Sequence, residues 1–443
     1  MADVKVMKTA AETALAQTYA QAHASLPGGA AIAQQRAAAF DLFAREGLPH
    51  RRVEDWKYTD LRALMRDAKP LAGPPDAAAK NKAKAAGQML GDIGARRLVF
   101  VDGAFVLELS DTAALEAGLS IGSLGDALAG NDAMLAAHLG KLAPASDVAV
   151  ALNTALMGDG AVIRVAAGST IERPLHLLFV ASEKPAASFV RSLVIVEPGA
   201  RAMLIESYEG PAGSDYQVNA ALELFVGDRA HVDHVKIISE GSDALHVSTL
   251  AAAVGAKARF NAFTFTAGGA VVRNQLFLKF DGEDTVANIR GATLINGRQH
   301  ADTTLLATHI ARNCQSREVF KSVLDDEAHG VFQGRIVVRP GAQKTDAKMM
   351  TRALLLSERA EADNKPELEI FADDVQCGHG ATAGALDGDL KFYLMARGVP
   401  EAEAEALLIQ AFLGEAIEGV EHAGLREALL DQVAAWLKVR VKA

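Results

Sequence analysis

Residues 197–206 read EPGARAMLIE, 226–235 VGDRAHVDHV, 254–263 VGAKARFNAF and 281–290 DGEDTVANIR. In each, a glycine precedes a small or acidic residue and then an alternating, strand-like run. Gly199, Gly227, Gly255 and Gly282 are 28, 28 and 27 residues apart, and Gly168, in AGSTIERPLHLL, lies 31 before the first. A period in this range marks stacked supersecondary units, each burying its face against the next. With two strands per unit and no helix between them, the pattern predicts a β-solenoid, or β-helix; a sandwich would not explain a constant period. Charged residues inside the strands, such as Asp233 and Lys236, are then expected on outward faces or at turns. A solenoid also exposes a strand edge at each end, which must be covered.

Working outward, the solenoid texture holds from about Ser146 to about Ala383, where short Val/Ile/Leu/Phe runs alternate with turn signals. The chain divides into a mostly helical region over 1–145, a β-helix core over 146–383 and a helical region over 384–443. From Ala10 to about Glu46 two Ala-rich helical pieces flank Gly28-Gly29. Trp56 and Tyr58 stand beside Arg51, Arg52 and Lys57, a grouping that a nucleotide contact would use. Simple packing of Trp56 on a helical cap, with solvated cations around it, is the preferred reading. Pro70–Ala86 reads as a linker, and Leu98–Leu109 as a hairpin about Asp102-Gly103. A further Ala/Leu-rich helical stretch ends near Leu142. After the core, Asp389 is placed to cap a helix that stops at Gly398. Pro400 opens a second helix with an apolar stripe of Leu407, Leu408, Ala411, Phe412 and Ala416. A third carries Leu425, Leu429, Val433 and Leu437 on one face, with Trp436 beside it. These helices suit either a cap on the last coil or a docking arm.

The 443 residues carry a formal net charge of −10, which argues against nucleic acid as the main partner. Two distant cysteines make no disulfide framework, the N-terminus lacks a signal-peptide core, and no apolar run is long enough to span a membrane. The cytoplasm is the expected compartment. No P-loop, dinucleotide-binding glycine motif, H-E-x-x-H or C-x-x-C occurs. The G-x-S-x-G string at Gly118–Gly122 follows helical sequence, so Ser120 reads as a chance match. His231, His234, His246, His300, His309 and His329 are scattered and read singly as structural residues. Cys314 reads as a buried or structural thiol, and Arg335, Arg339, Lys344 and Asp346 as a polar turn on a coil edge.

One segment stands apart. Glu369–Thr382, EIFADDVQCGHGAT, places Cys377 two residues before His379. On a strand the two share a face with their Cα atoms roughly 7 Å apart, close enough to touch one soft metal ion. A structural zinc or an iron–sulfur cluster usually takes about four protein ligands. The missing ligands would come from another chain or from the cargo.

Phe332–Val399, which contains RIVVRPGAQKTDAK and CGHGAT, resembles the SufB/SufD family of SUF iron–sulfur cluster assembly subunits, on its SufD side. VEDWKYTDLR and ALNTALMGDGAVIRVAAGSTIERPLHLLFV extend the resemblance to nearly the whole chain; it is weakest in Pro70–Ala95 and around Glu116–Ala145. The resemblance implies a right-handed parallel β-helix flanked by helical regions, and a non-catalytic scaffold. Its implied partners are a SufB paralogue, joined through the β-helices, and the ABC-type ATPase SufC, held by the C-terminal helices through residues such as Leu407, Leu408, Ala411 and Phe412. It also implies association with iron entry and a transient cluster, or iron, at the SufB interface, with no permanently bound cofactor. His379 occupies the family position facing a SufB cysteine, with Cys377 beside it. The family usually has Ser between the two, where this chain has Gly378. A β-helix carbohydrate-active enzyme and a stand-alone homodimer are the alternatives; the first would need clustered acids along a groove and a secretion signal.

Overall fold

The computed structural model of the chain describes residues 7–130 and 132–440. The core is a β-solenoid in which the chain passes alternately between a nine-stranded and a ten-stranded sheet. Gln217–Val226, Leu245–Val254 and Val271–Phe280 pair in parallel in the first, and His231–Ser239, Arg259–Thr266 and Val286–Ile295 in the second. Alternate side chains point into the interior. Val218, Ala220, Leu222, Leu224 and Val226 thus meet Val232, Phe260 and Ile289 in one buried cluster. Both faces of most strands are covered, which is why Leu245–Val254 reads as an almost unbroken small or apolar run.

The repeat holds, but its glycines serve two purposes. Val196, Val226, Val254, Phe280, His309, Val338 and Ile370 form one register column, so successive coils add 30, 28, 26, 29, 29 and 32 residues. The period is therefore less constant than the glycine spacing suggests, because the closing loops differ in length. Gly199 lies beside Arg229, not Gly227; both adopt the left-handed conformation, with φ of 71° and 58°. Lys257, Asp284, Asn313 and Lys344 do the same in later coils. Gly227 and Gly282 instead mark points where coils touch. A Cβ there would lie 2.6 Å from Pro198 N and 1.9 Å from Ala256 N, respectively.

The strand period also corrects the placement of Lys236. Asp233 faces outward, but Lys236, three residues on, must face inward, where it is buried 4.0 Å from Glu206 Oε2. Burial raises the Glu206 pKa, but Lys236 and the hydrogen bond to His234 outweigh it and hold the carboxyl at about 2.

Helices cover the outer faces of the sheets. Ala10–Ala22, capped by Thr9 and Glu12 in a reciprocal box, and Ala30–Glu46 pack with Val148–Leu156 over the nine-stranded sheet, around Phe43, Trp56, Leu152 and Phe189. Val148–Leu156 is helical although its apolar composition reads as strand. Trp56 is buried and donates to Asp147 Oδ2 at 3.2 Å, while Arg51, Arg52 and Lys57 are exposed, so the packing reading holds. Within the expected linker, Asp76 caps a short helix, Ala77–Ala83, that packs on Val99 and Leu178. The hairpin at Asp102-Gly103 is present, with its second strand only Ala104–Phe105. Its first strand, Arg96–Val101, also pairs with Leu175–Val180 in the ten-stranded sheet. Ser120 lies exposed within a strand, Leu119–Ser123, and not on the strand-to-helix turn a nucleophile elbow requires.

Glu401–Ile417 and Ala423–Arg440 lie along the outer face of the ten-stranded sheet and do not close its end. Ile409, Leu413, Ala416 and Ile417, with Leu425, Leu429, Val433 and Leu437, meet Val235, Phe263, Phe265, Leu294 and Val323. The buried stripe of the first of these helices is therefore shifted from the expected one. Leu407 and Ala411 are exposed, and Leu408 and Phe412 are half-buried. The preceding helix, Gly388–Met395, is capped by Asp387, which accepts from Asp389 and Leu390 N–H groups, and not by Asp389. Among the described residues no helix is long and apolar enough to cross a membrane.

Candidate functional site

The last coil consists of Glu361–Ile370 and Gln376–Gly384, each the terminal strand of its sheet. Cys377 stands beside Ala347 and His379 beside Met349, and both neighbours are interior residues. Cys377 and His379 therefore share the inward face at the open mouth of the solenoid. Cys377 is half-buried against the core cluster, and His379 is exposed. Burial raises the thiol pKa, helped by the Asp346 and Glu318 carboxylates and opposed by the Ala347 N–H. A soft metal bound there would compete with that proton, since only the thiolate is a good ligand.

Two glycines of the motif differ in kind. A Cβ on Gly378 would meet nothing within 4 Å, so serine fits there and its absence changes no geometry. A Cβ on Gly380 would come within 2.7 Å of Met350 Cε, so a side chain there requires the flexible end of Met350 to move aside.

The two free edges are unlike. Glu361–Ile370 carries Pro366 and the charged residues Glu361, Asp363, Lys365, Glu367 and Glu369, features that block strand addition. Gln376–Gly384, QCGHGATAG, has no proline, lysine or carboxylate. Its Gln376 N–H is spent on Thr345 O at 2.8 Å, so by ladder alternation the N–H groups of Cys377, His379 and Ala381 point to the open edge. Ile370 and Phe371, beside these strands, are 42% and 56% exposed. The helix that follows leaves Leu390, Phe392, Tyr393 and Met395 exposed, and none of its residues is buried.

The other candidates separate from this site. Cys314 is fully buried in a turn, with its thiol directed at Gly282 O, 3.3 Å away. His300 contacts Thr59 and His329, and His309 contacts Ser316, so His300, His309 and Cys314 form no cluster. His234 bonds Glu206 and His329 bonds Asp363, as structural histidines do. Arg335 sits within a strand and pairs with Glu367 at 3.1 Å, so it belongs to no turn. Among the described residues, His231 groups with two carboxylates, Asp233 and Glu421. Glu421 gave no sequence signal, because only folding brings the helical turn to that strand.

The structure is thus an open-ended β-solenoid with helical covers and one strand edge, Gln376–Gly384, that neither proline nor charge protects. Two family profiles match: "SufBD protein N-terminal region" over residues 9–177 and "SUF system FeS cluster assembly, SufBD core domain" over residues 179–412. An iron–sulfur cluster assembly SufBD family protein of Synechocystis sp. is 33% identical over 442 residues, 97% of this chain and 96% of that protein. SufD of Escherichia coli is 31% identical over 394 residues, 88% of this chain and 89% of that protein. SufD of Bacillus subtilis is 29% identical over 293 residues, 65% and 66% of the two chains. The chain belongs to the SufBD family of iron–sulfur cluster assembly proteins.

Proposed function

We propose that this chain is a non-catalytic SufD-type scaffold subunit that pairs with a SufB paralogue and the SufC ATPase in the cytoplasm. The observation that carries the reading is the solenoid's open end, where an unprotected edge strand presents exposed His379 and half-buried Cys377 on one face. A second solenoid adding its own strand to Gln376–Gly384 would satisfy the free N–H groups of Cys377, His379 and Ala381. It would also bring further ligands over the mouth, completing a site for iron or a nascent iron–sulfur cluster, which is cargo. Exposed Leu390, Phe392 and Tyr393, with Leu407 and Ala411, offer the apolar surface for the ATPase.

The test is the yield of cluster on the assembled complex. His379→Ala replaces an exposed side chain, so the fold and the partners should be retained while iron and acid-labile sulfide fall together. Unchanged iron and sulfide content would remove His379 from the site.

A further inference from the structure

The grouping of His231, Asp233 and Glu421 lies away from the solenoid mouth and has a different makeup. His231 and Asp233 project outward from one strand, two residues apart, and are mostly buried beneath the C-terminal helices, with side chains 21% and 15% exposed. Glu421 comes from the turn between Glu401–Ile417 and Ala423–Arg440. His231 Nε2 is 3.5 Å from Asp233 Oδ1 and 3.9 Å from Glu421 Oε2, and one ligand atom from each residue lies within 4.8 Å of the others. That imidazole nitrogen is sealed from solvent, and its nearest carboxylate oxygen, Asp233 Oδ1, is 3.5 Å away, at the limit of hydrogen-bonding distance.

The two carboxylates are held by one neighbour. Asn261 Nδ2 donates to Asp233 Oδ1 at 2.7 Å and to Glu421 Oε1 at 3.2 Å, and Asn288 Nδ2 donates to Asn261 Oδ1 at 2.9 Å. Asp233, Asn261 and Asn288 are register neighbours on three successive strands, so the ladder is built into the sheet. Such outer hydrogen bonds are what orient carboxylate ligands in metal sites. The cation nearest Glu421 is Arg201, 56% exposed and 3.8 Å away, free to turn into solvent.

We propose that His231, Asp233 and Glu421 bind one divalent transition-metal ion, of the class of Zn²⁺, Fe²⁺ or Mn²⁺, which pins the turn between the C-terminal helices to the solenoid. One imidazole with two carboxylates suits these borderline ions better than Mg²⁺ or Ca²⁺, which favour all-oxygen sites. Bond lengths of about 2.0–2.2 Å place tetrahedral ligands roughly 3.4 Å apart, so the 3.5 and 3.9 Å separations from His231 Nε2 need a contraction of at most about half an ångström. The ion would tie the arm to the sheet without using any residue of the mouth.

The test is calorimetric titration of Zn²⁺ into the chelator-stripped, untagged full chain carrying Cys377→Ala and His379→Ala, which silences the mouth. One Zn²⁺ per chain is expected to bind. Glu421→Gln, at a side chain 44% exposed, should weaken binding at least about 10–100-fold, as should His231→Gln. Zn²⁺ should also slow amide exchange across residues 418–422 in the unsubstituted ligand set and not in Glu421→Gln. Absence of stoichiometric binding, or equal affinity in both ligand variants, would overturn the proposal.

Discussion

Glu318 lies on the inward face two coils below the mouth, between Ile289 and Met349 in the register. It is fully buried, and the nearby Ser316 hydroxyl and Arg317 charge offset that burial only in part. Burial raises its pKa to about 7, against about 4.3 for a glutamate in an unfolded chain. The folded state therefore holds this proton more tightly. Below about pH 4 both states are protonated and the group costs nothing. As the pH rises from about 4.3 to 7 the unfolded chain ionises first, so stability falls; above about 7 the cost is constant. At about 1.36 kcal/mol per unit, the full cost is roughly 3–4 kcal/mol. Glu318→Gln keeps the shape and removes the titration. The difference in unfolding free energy between the variant and the parent, measured by urea denaturation, should grow by roughly 3 kcal/mol in the variant's favour between pH 4 and pH 8. The Glu318 carboxylate also contributes to raising the Cys377 thiol pKa, so the variant should alkylate faster at Cys377 at pH 8. A difference that stays flat with pH would refute the reasoning, because it would mean that the carboxylate is solvated or paired.

The motif glycines should divide under substitution. Gly378→Ser should leave thermal stability unchanged, whereas Gly380→Val must displace the flexible end of Met350 and should cost about 1 kcal/mol. On the C-terminal arm, Leu413→Ala removes a fully buried side chain and should cost about 2–5 kcal/mol, with faster proteolysis of the last two helices. Leu407→Asp alters a side chain that is 44% exposed, so it should leave the melting temperature alone while weakening capture of the ATPase in a pull-down. Retained capture would limit that helix to covering the sheet.

How much was legible follows from physical range. The solenoid could be read because every coil repeats the same local needs: an alternating apolar strand, a left-handed turn residue and a close backbone approach. Non-glycine residues such as Arg229 and Lys257 take the turn position in some coils, so the glycine column alone mistook contact points for turns. The shared face of Cys377 and His379 followed from the strand period, as did the error over Lys236 once that period is applied strictly. Which faces the helices would cover could not be read, because Leu408 and Ile409 are equally apolar and only the sheet beneath selects Ile409. The helix at Val148–Leu156 and the role of Glu421 depend on contacts between segments far apart in sequence, and local pattern carries no record of them.

The most direct test of the account is the native mass of this chain co-expressed with a SufB-type subunit and the SufC-type ATPase, beside the same preparation carrying Ala381→Pro. The substitution removes an N–H from the free edge of Gln376–Gly384. A complex containing this chain and the second solenoid is expected, lost in the variant while the variant chain alone stays folded. An intact complex with the edge blocked, or no complex in either preparation, would contradict it.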